Sequence, residues 1–187
     1  ALNDAQRGGR GCPGRVSGGI GYSPVHSTRG VDRDTMDYER AEDILKRDGR
    51  VASSPEGIQM LARIRIDRGL GDDTDKALKA LQELERTRGL SPELANDIGL
   101  ALLQGNEAKD AIKYFTSALN LRPGYPEALF NRAVAEERLA EEGQAQYQDA
   151  QEDWTAYIAG APQGDGWLGE AQSRLHDVEE HLSNQPK

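Results

Sequence analysis

Residues 91–126 read SPELANDIGLALLQGNEAKDAIKYFTSALNLRPGYP. The run opens like a helix. A serine hydroxyl accepts from an unpaired first-turn amide, Pro92 needs no amide partner at the first helical position, and Glu93 suits the positive end of the helix dipole. Gly105 stops the helix, and Asn106 is the expected cap of a second one. Ala111, Phe115, Ala118 and Leu119 then fall on one face at 3.6-residue spacing, and Leu121 and Pro123 close the element. The stretch predicts an antiparallel helical hairpin.

The same opening recurs on both sides. Ser54-Pro55-Glu56 and Tyr125-Pro126-Glu127 repeat Ser91-Pro92-Glu93, with the prolines 37 and 34 residues apart. A fourth start lies at Asp165-Gly166-Trp167, with Asp165 as its cap. Helix stops are expected near Gly69, Gly105 and Gly143. Self-similarity at this period marks a solenoid of stacked hairpins.

The middle unit resembles the tetratricopeptide repeat, whose small and large positions are matched by Ile98, Gly99, Leu102, Ala111, Phe115, Ala118 and Pro123. In the first unit Ile58, Leu61, Ala62, Ala77, Leu81 and Leu84 follow it after a turn three residues longer. In the third, Leu129, Ala133, Ala150, Trp154, Tyr157 and Pro162 follow it around a five-residue insertion at 141–145. Arg132 and Glu136 depart from the apolar preference, so the third unit is expected to be splayed or partly exposed there. The resemblance implies an all-α, right-handed solenoid of antiparallel helix pairs, with repeats near 55–91, 92–125 and 126–164. Leu168, Ala171, Leu175, Val178 and Leu182 form the stripe of a capping helix over 165–182, leaving a tail at 183–187. Tyr38, Ala41, Ile44 and Leu45 predict a shorter helix over 35–47, at the start of a repeat domain spanning 34–182.

Composition agrees with helices and narrows function. Aromatics are 5% and charged residues 29% of 187 residues, so the chain is rich in helix formers, poor in strand formers and long enough for a core without metal or disulfide. Cys12 is alone, which excludes an internal disulfide and a cysteine-based zinc site. A net charge of −9 argues against nucleic acid as a partner. No apolar run, including Leu100 to Leu103, approaches the roughly 20 residues that span a bilayer. The first residue is Ala1, which leaves exported, cell-surface and cytoplasmic locations all open.

Residues 1–33 differ in kind. They hold eight glycines, and five arginines against two aspartates give +3, so the remainder carries −12. This reads as a basic extended arm preceding an acidic body. Fully extended it reaches about 110 Å. Its stretch from Val16 to Pro24, followed by such repeats, also resembles the region ahead of caspase-like CHAT domains in some bacterial proteins, although no protease domain follows here.

Chemistry-bearing constellations are sparse. His26, His176 and His181 have no ligand spacing, and Asp72, Asp73 and Asp75 read as helix-start acids rather than a calcium loop. The glycine pairs at 8–9 and 18–19 lack a phosphate-loop lysine. No nucleophile–base set is present, so neither enzyme activity nor a cofactor is expected.

What the repeat family implies is a groove lined by the first helix of each hairpin. Carried onto this chain, its partner-facing positions include Gln59, Arg63 and Ile66, then Asn96, Leu100, Leu103 and Gln104, then Phe130, Val134 and Arg138. Leu100, Leu103, Phe130 and Val134 are expected to form an apolar floor for an extended peptide. Leu100, Asp97 and Glu127 stand where the dicarboxylate clamp for chaperone tails needs polar or basic groups, so that ligand is not expected. The functional expectation is a non-enzymatic scaffold holding an extended polypeptide. The alternative is a self-assembling subunit, an oligomer or extracellular filament, in which Val16, Ile20, Tyr22 and Val25 of the arm dock on a neighbouring copy.

Overall fold

The computed structural model describes residues 31–69, 72–143, 145–162 and 164–184, with side chains from residue 37 onward. The arm residues Val16, Ile20, Tyr22 and Val25, together with Cys12 and His26, lie outside the described residues. Among the described residues there are nine helices and no strand: α1 (Val31–Arg47), α2 (Gly49–Ala52), α3 (Pro55–Arg68), α4 (Asp73–Arg88), α5 (Pro92–Gln104), α6 (Ala108–Leu121), α7 (Pro126–Glu141), α8 (Tyr147–Gly160) and α9 (Leu168–Ser183).

The helix openings follow from the sequence. Pro55, Pro92 and Pro126 each take the first helical position. Ser54 Oγ accepts from Gly57 N at 3.0 Å and Ser91 Oγ from Leu94 N at 3.1 Å. Asp165 Oδ1 accepts from Trp167 N at 2.8 Å, capping the turn that leads into α9 at Leu168. Helix α1 begins at Val31, so the last three residues read as arm are helical.

The end of α5 corrects one expectation. Asn106 does not cap α6; it takes φ +66°. Glu107 N donates to Leu102 O at 2.9 Å and Gly105 N to Ala101 O at 3.0 Å, which closes the helix by a left-handed C-terminal turn. Asparagine tolerates that conformation better than other residues with a Cβ, because its short amide hydrogen-bonds locally. Asn106→Ala is therefore expected to cost about 1 kcal/mol, whereas Asn106→Gly stays within roughly 0.5 kcal/mol of the parent. Urea unfolding of the two variants checks the contrast.

Helices pair as α3·α4, α5·α6 and α7·α8, and each second helix packs on the next first helix or on α9. The first helices α3, α5 and α7 also touch one another, while α4, α6 and α8 chiefly meet first helices. The first helices thus line the inner side of a curved stack. Along its middle run Ile98, Ala111, Phe115, Ala77, Leu81, Ala133, Trp154 and Tyr157, all buried. Helix α1 closes the opposite end through Glu42, which accepts from Arg65 Nε and Nη2 at 3.1 and 2.9 Å. Ile44 points outward, 64% exposed.

The third hairpin is not splayed. Arg132 Nε and Nη2 donate to the two oxygens of Asp153 at 2.6 and 2.7 Å, and Nη1 donates to Thr116 Oγ1 at 3.1 Å. One guanidinium thereby ties α6, α7 and α8 together. A bidentate pair satisfies charge and geometry at once, which lets polar residues occupy positions where apolar ones were expected.

Candidate binding groove

The groove is built from the inner faces of α3, α5 and α7. Helix α5 is apolar almost throughout, yet carries Asn96 and Asp97 in its second turn, and both are buried. Asp97 accepts from Gln59 Nε2 at 2.5 Å and from Arg63 Nε at 2.8 Å. Burial pushes the Asp97 carboxyl up, and Arg63 with Gln59 only partly offsets this. Arg63 keeps half of its side chain in solvent. Next to this cluster Asn131 Nδ2 donates to Asn96 Oδ1 at 2.9 Å, linking α7 to α5.

Two hollows share this inner surface. The first, about 310 Å³, lies between Arg63, Ile66 and Asp67 of α3, Asn96 and Leu100 of α5, and the Arg122–Glu127 segment. Arg122 pairs with Glu93 and lies 4.7 Å over the Tyr125 ring. Burial, together with Glu127, raises the Tyr125 hydroxyl to about 12, so it remains a neutral donor at physiological pH. The second hollow, about 370 Å³, is bounded by Asp67, Arg68 and Gly69 on one side and Leu103, Gln104 and Arg138 on the other. Asp67 and Leu100 border both hollows. Arg138 Nη1 donates to Leu103 O at 2.8 Å.

A third hollow of about 500 Å³ lies beyond, between the end of α7, Tyr147 and α9. Glu137 accepts from Trp154 Nε1 at 2.5 Å and Arg174 Nη1 at 2.8 Å. Burial raises its carboxyl despite Arg174. At the rim Tyr147 and His181 stack with ring centroids 4.8 Å apart.

Seven of the ten residues expected to face a partner border the first two hollows: Arg63, Ile66, Asn96, Leu100, Leu103, Gln104 and Arg138. Gln59 stands behind them, holding Asp97. Phe130 and Val134 are placed elsewhere. Phe130 is 1% exposed and packs edge-on against Trp154, Tyr157 and Trp167, with centroids 4.8, 5.4 and 5.7 Å away. Val134 borders none of these three hollows, whereas Ile66, Leu100 and Leu103, themselves largely buried, border the first two. The expected four-residue apolar floor is therefore reduced to Leu100 and Leu103, joined by Ile66, under a charged rim. Sequence reasoning missed Arg122, Tyr125 and the whole α9 wall. Asp97 was visible as an acid inside an apolar helix, a pattern that signals a buried ionic partner.

A family profile described as Tetratricopeptide repeat matches residues 61–126 and 96–141. Residues 61–141 match the tetratricopeptide repeat. Solved structures share the fold. The first tetratricopeptide repeat domain of Spaghetti (RPAP3), bound to the HSP90 peptide SRMEEVD, is 17% identical with a TM-score of 0.52, over 67% of this chain and 96% of that one. The type III secretion translocator chaperone SycD of Yersinia enterocolitica is 13% identical with a TM-score of 0.57, over 70% and 88%. A MamA protein is 18% identical with a TM-score of 0.52, over 82% and 90%. No curated protein matches the chain. The comparisons lend no support to the resemblance of residues 16–24 to the region ahead of CHAT domains. Tetratricopeptide repeats serve generally as protein-interaction scaffolds, and no described helix is long and apolar enough to cross a membrane.

Proposed function

We propose that the protein is a non-enzymatic scaffold whose tetratricopeptide groove binds an extended polypeptide. The observation that carries this reading is the pair of hollows sharing Asp67 and Leu100. They offer successive side-chain seats along one open surface. Aliphatic groups at Ile66, Leu100 and Leu103 provide desolvated contacts, and the surrounding amides and charges orient a main chain. The Spaghetti (RPAP3) domain, which shares the fold, is bound to a peptide; the residues here are this chain's own.

The test uses half-buried rim positions, because Phe130→Asp would disrupt a buried aromatic cluster and report on folding. Peptides of varied charge are titrated against the parent, Glu127→Arg and Gln104→Trp, the last filling the second hollow. Both substitutions are expected to weaken the best peptide about tenfold or more, roughly 1.4 kcal/mol, with unchanged helicity and melting. Unaltered affinity in both would remove the groove from the proposal.

A further inference from the structure

The two hollows of the groove differ in sign. Asp67, Glu93, Asp97 and Glu127 against Arg63 and Arg122 give the first a net of −2, while Asp67 against Arg68 and Arg138 gives the second +1. Most of these charges are already engaged inside the fold. Arg63 is held by Asp97, Arg122 pairs with Glu93, and Arg68 pairs with Glu42 and Asp73. Asp67 borders both hollows and so does not set one apart from the other.

Glu127 and Arg138 are the exceptions. Both are half-buried, and neither forms an ion pair with a described residue. The charge of Glu127 reaches Arg63 and Tyr125, but Arg63 Nε is bonded to Asp97 at 2.8 Å. Arg138 gives a single hydrogen bond, from Nη1 to Leu103 O. A guanidinium carries more N–H donors than that. Among the described residues only Asn131 Oδ1 and Glu136 Oε2 are both buried and unpaired, so Nε and Nη2 of Arg138 open to solvent. Both residues lie on α7, eleven positions apart, about 16 Å along the helix. An extended chain rises about 3.3 Å per residue, so roughly four to six residues bridge the two seats. Leu100, which borders both hollows, lies under that span with Ile66 and Leu103.

We infer that the groove selects its polypeptide by charge order: a lysine or arginine in the first hollow, an aspartate or glutamate in the second, and aliphatic side chains between them over Leu100. This rests on the reading that the groove binds an extended chain, and it names the kind of chain. A like charge at either seat would meet an uncompensated one in a half-buried place, where solvent screens it less than on open surface.

The probes are three peptides of equal length that differ only at two positions, spaced by about five residues and flanking alanine and leucine: lysine with glutamate, two lysines, or two glutamates. A peptide can lie in either direction, so the number of matched seats alone separates them. At about 20 mM salt, where screening is weak, the parent is expected to bind the mixed peptide about tenfold more tightly than either of the others. The net charge of −9 would by itself favour two lysines, so this preference is not general attraction. Glu127→Arg is expected to move the preference to two glutamates, Arg138→Glu to two lysines, and the double variant back to the mixed peptide. Arg138→Gln, which retains a donor for Leu103 O, is expected to bind the mixed and two-lysine peptides alike. Circular dichroism melts confirm that each variant is folded. Equal affinities of the parent for all three peptides, no binding of the mixed one, or a preference unmoved in the folded variants overturns charge order. Peptide binding that is then still lost in Gln104→Trp leaves the groove reading standing, whereas binding indifferent to Gln104→Trp removes that reading as well.

Discussion

Replacing Gly99 by leucine is expected to unfold the central hairpin. A Cβ built on Gly99 would lie 2.5 Å from Phe115 Cε1 and 2.7 Å from Cδ1, and Phe115 is itself fully buried between α5, α6 and their neighbours. The ring has nowhere to move. Even Gly99→Ala, which in an open helix interior would stabilise by about 1 kcal/mol, is expected to destabilise here by about 2–3 kcal/mol through overpacking. The sign of that substitution decides between helix propensity and close approach. A cost of that size lowers Tm by roughly 4–12 °C for a domain of this length. Circular dichroism melts of Gly99→Ala, Phe115→Leu and the double variant test the contact itself. The double variant should cost less than the two single costs added, because the smaller side chain makes room for the new methyl. Additive losses would show that the two residues do not meet.

Features readable in the sequence are those whose cause is local. Pro55, Pro92 and Pro126 fix helix starts through their own φ and missing amide, and Ala111, Phe115 and Ala118 declare a buried face by spacing alone. Gly99 was placed by the resemblance to the tetratricopeptide repeat, whose small position it matches. What was not legible depends on partners far along the chain. Arg132 looked like a misfit because Asp153, 21 residues on, was not yet beside it. Phe130 looked available to a ligand because Trp167, from the turn into α9, was not yet packed against its ring. Asn106 failed for a different reason: an asparagine after a glycine serves equally as an N-cap or as a left-handed C-terminal residue, and the hydrogen bond from Glu107 N to Leu102 O selects the second. The candidate groove was legible in its aliphatic and polar positions on α3 and α5, and much less so in α7, where the neighbour that covers a face decides whether it is open.

Arg132 also sets up the second large effect. Its guanidinium is occupied by both Asp153 oxygens and Thr116, so Glu136 on the next turn of α7, 3.7 Å from Arg132 Nε, is left with a buried Oε2 that has no hydrogen-bond partner. Burial, reinforced by Asp153, Asp149 and Glu152 of α8 and only partly opposed by Arg132, raises the Glu136 carboxyl to about 8. Below the ordinary value of 4.5 both folded and unfolded chains hold this proton. Between there and about 8 the unfolded chain releases it while the folded chain retains it, so this group's contribution to stability falls as pH rises. Above 8 both are ionised and the loss is complete, on the order of 5 kcal/mol for a separation of this size. Other carboxyls titrate as well, with Asp97 and Glu137 shifted upward and Glu42 and Glu93 downward, so the total curve mixes several groups. The difference between the parent and Glu136→Gln isolates one. Urea unfolding from pH 4 to 9 is expected to show that difference flat at the acid end. It should then grow in the variant's favour by several kcal/mol and level off above pH 8. Parallel curves across the range would mean that Glu136 is ionised in the folded protein at neutral pH and that Arg132 serves both carboxylates.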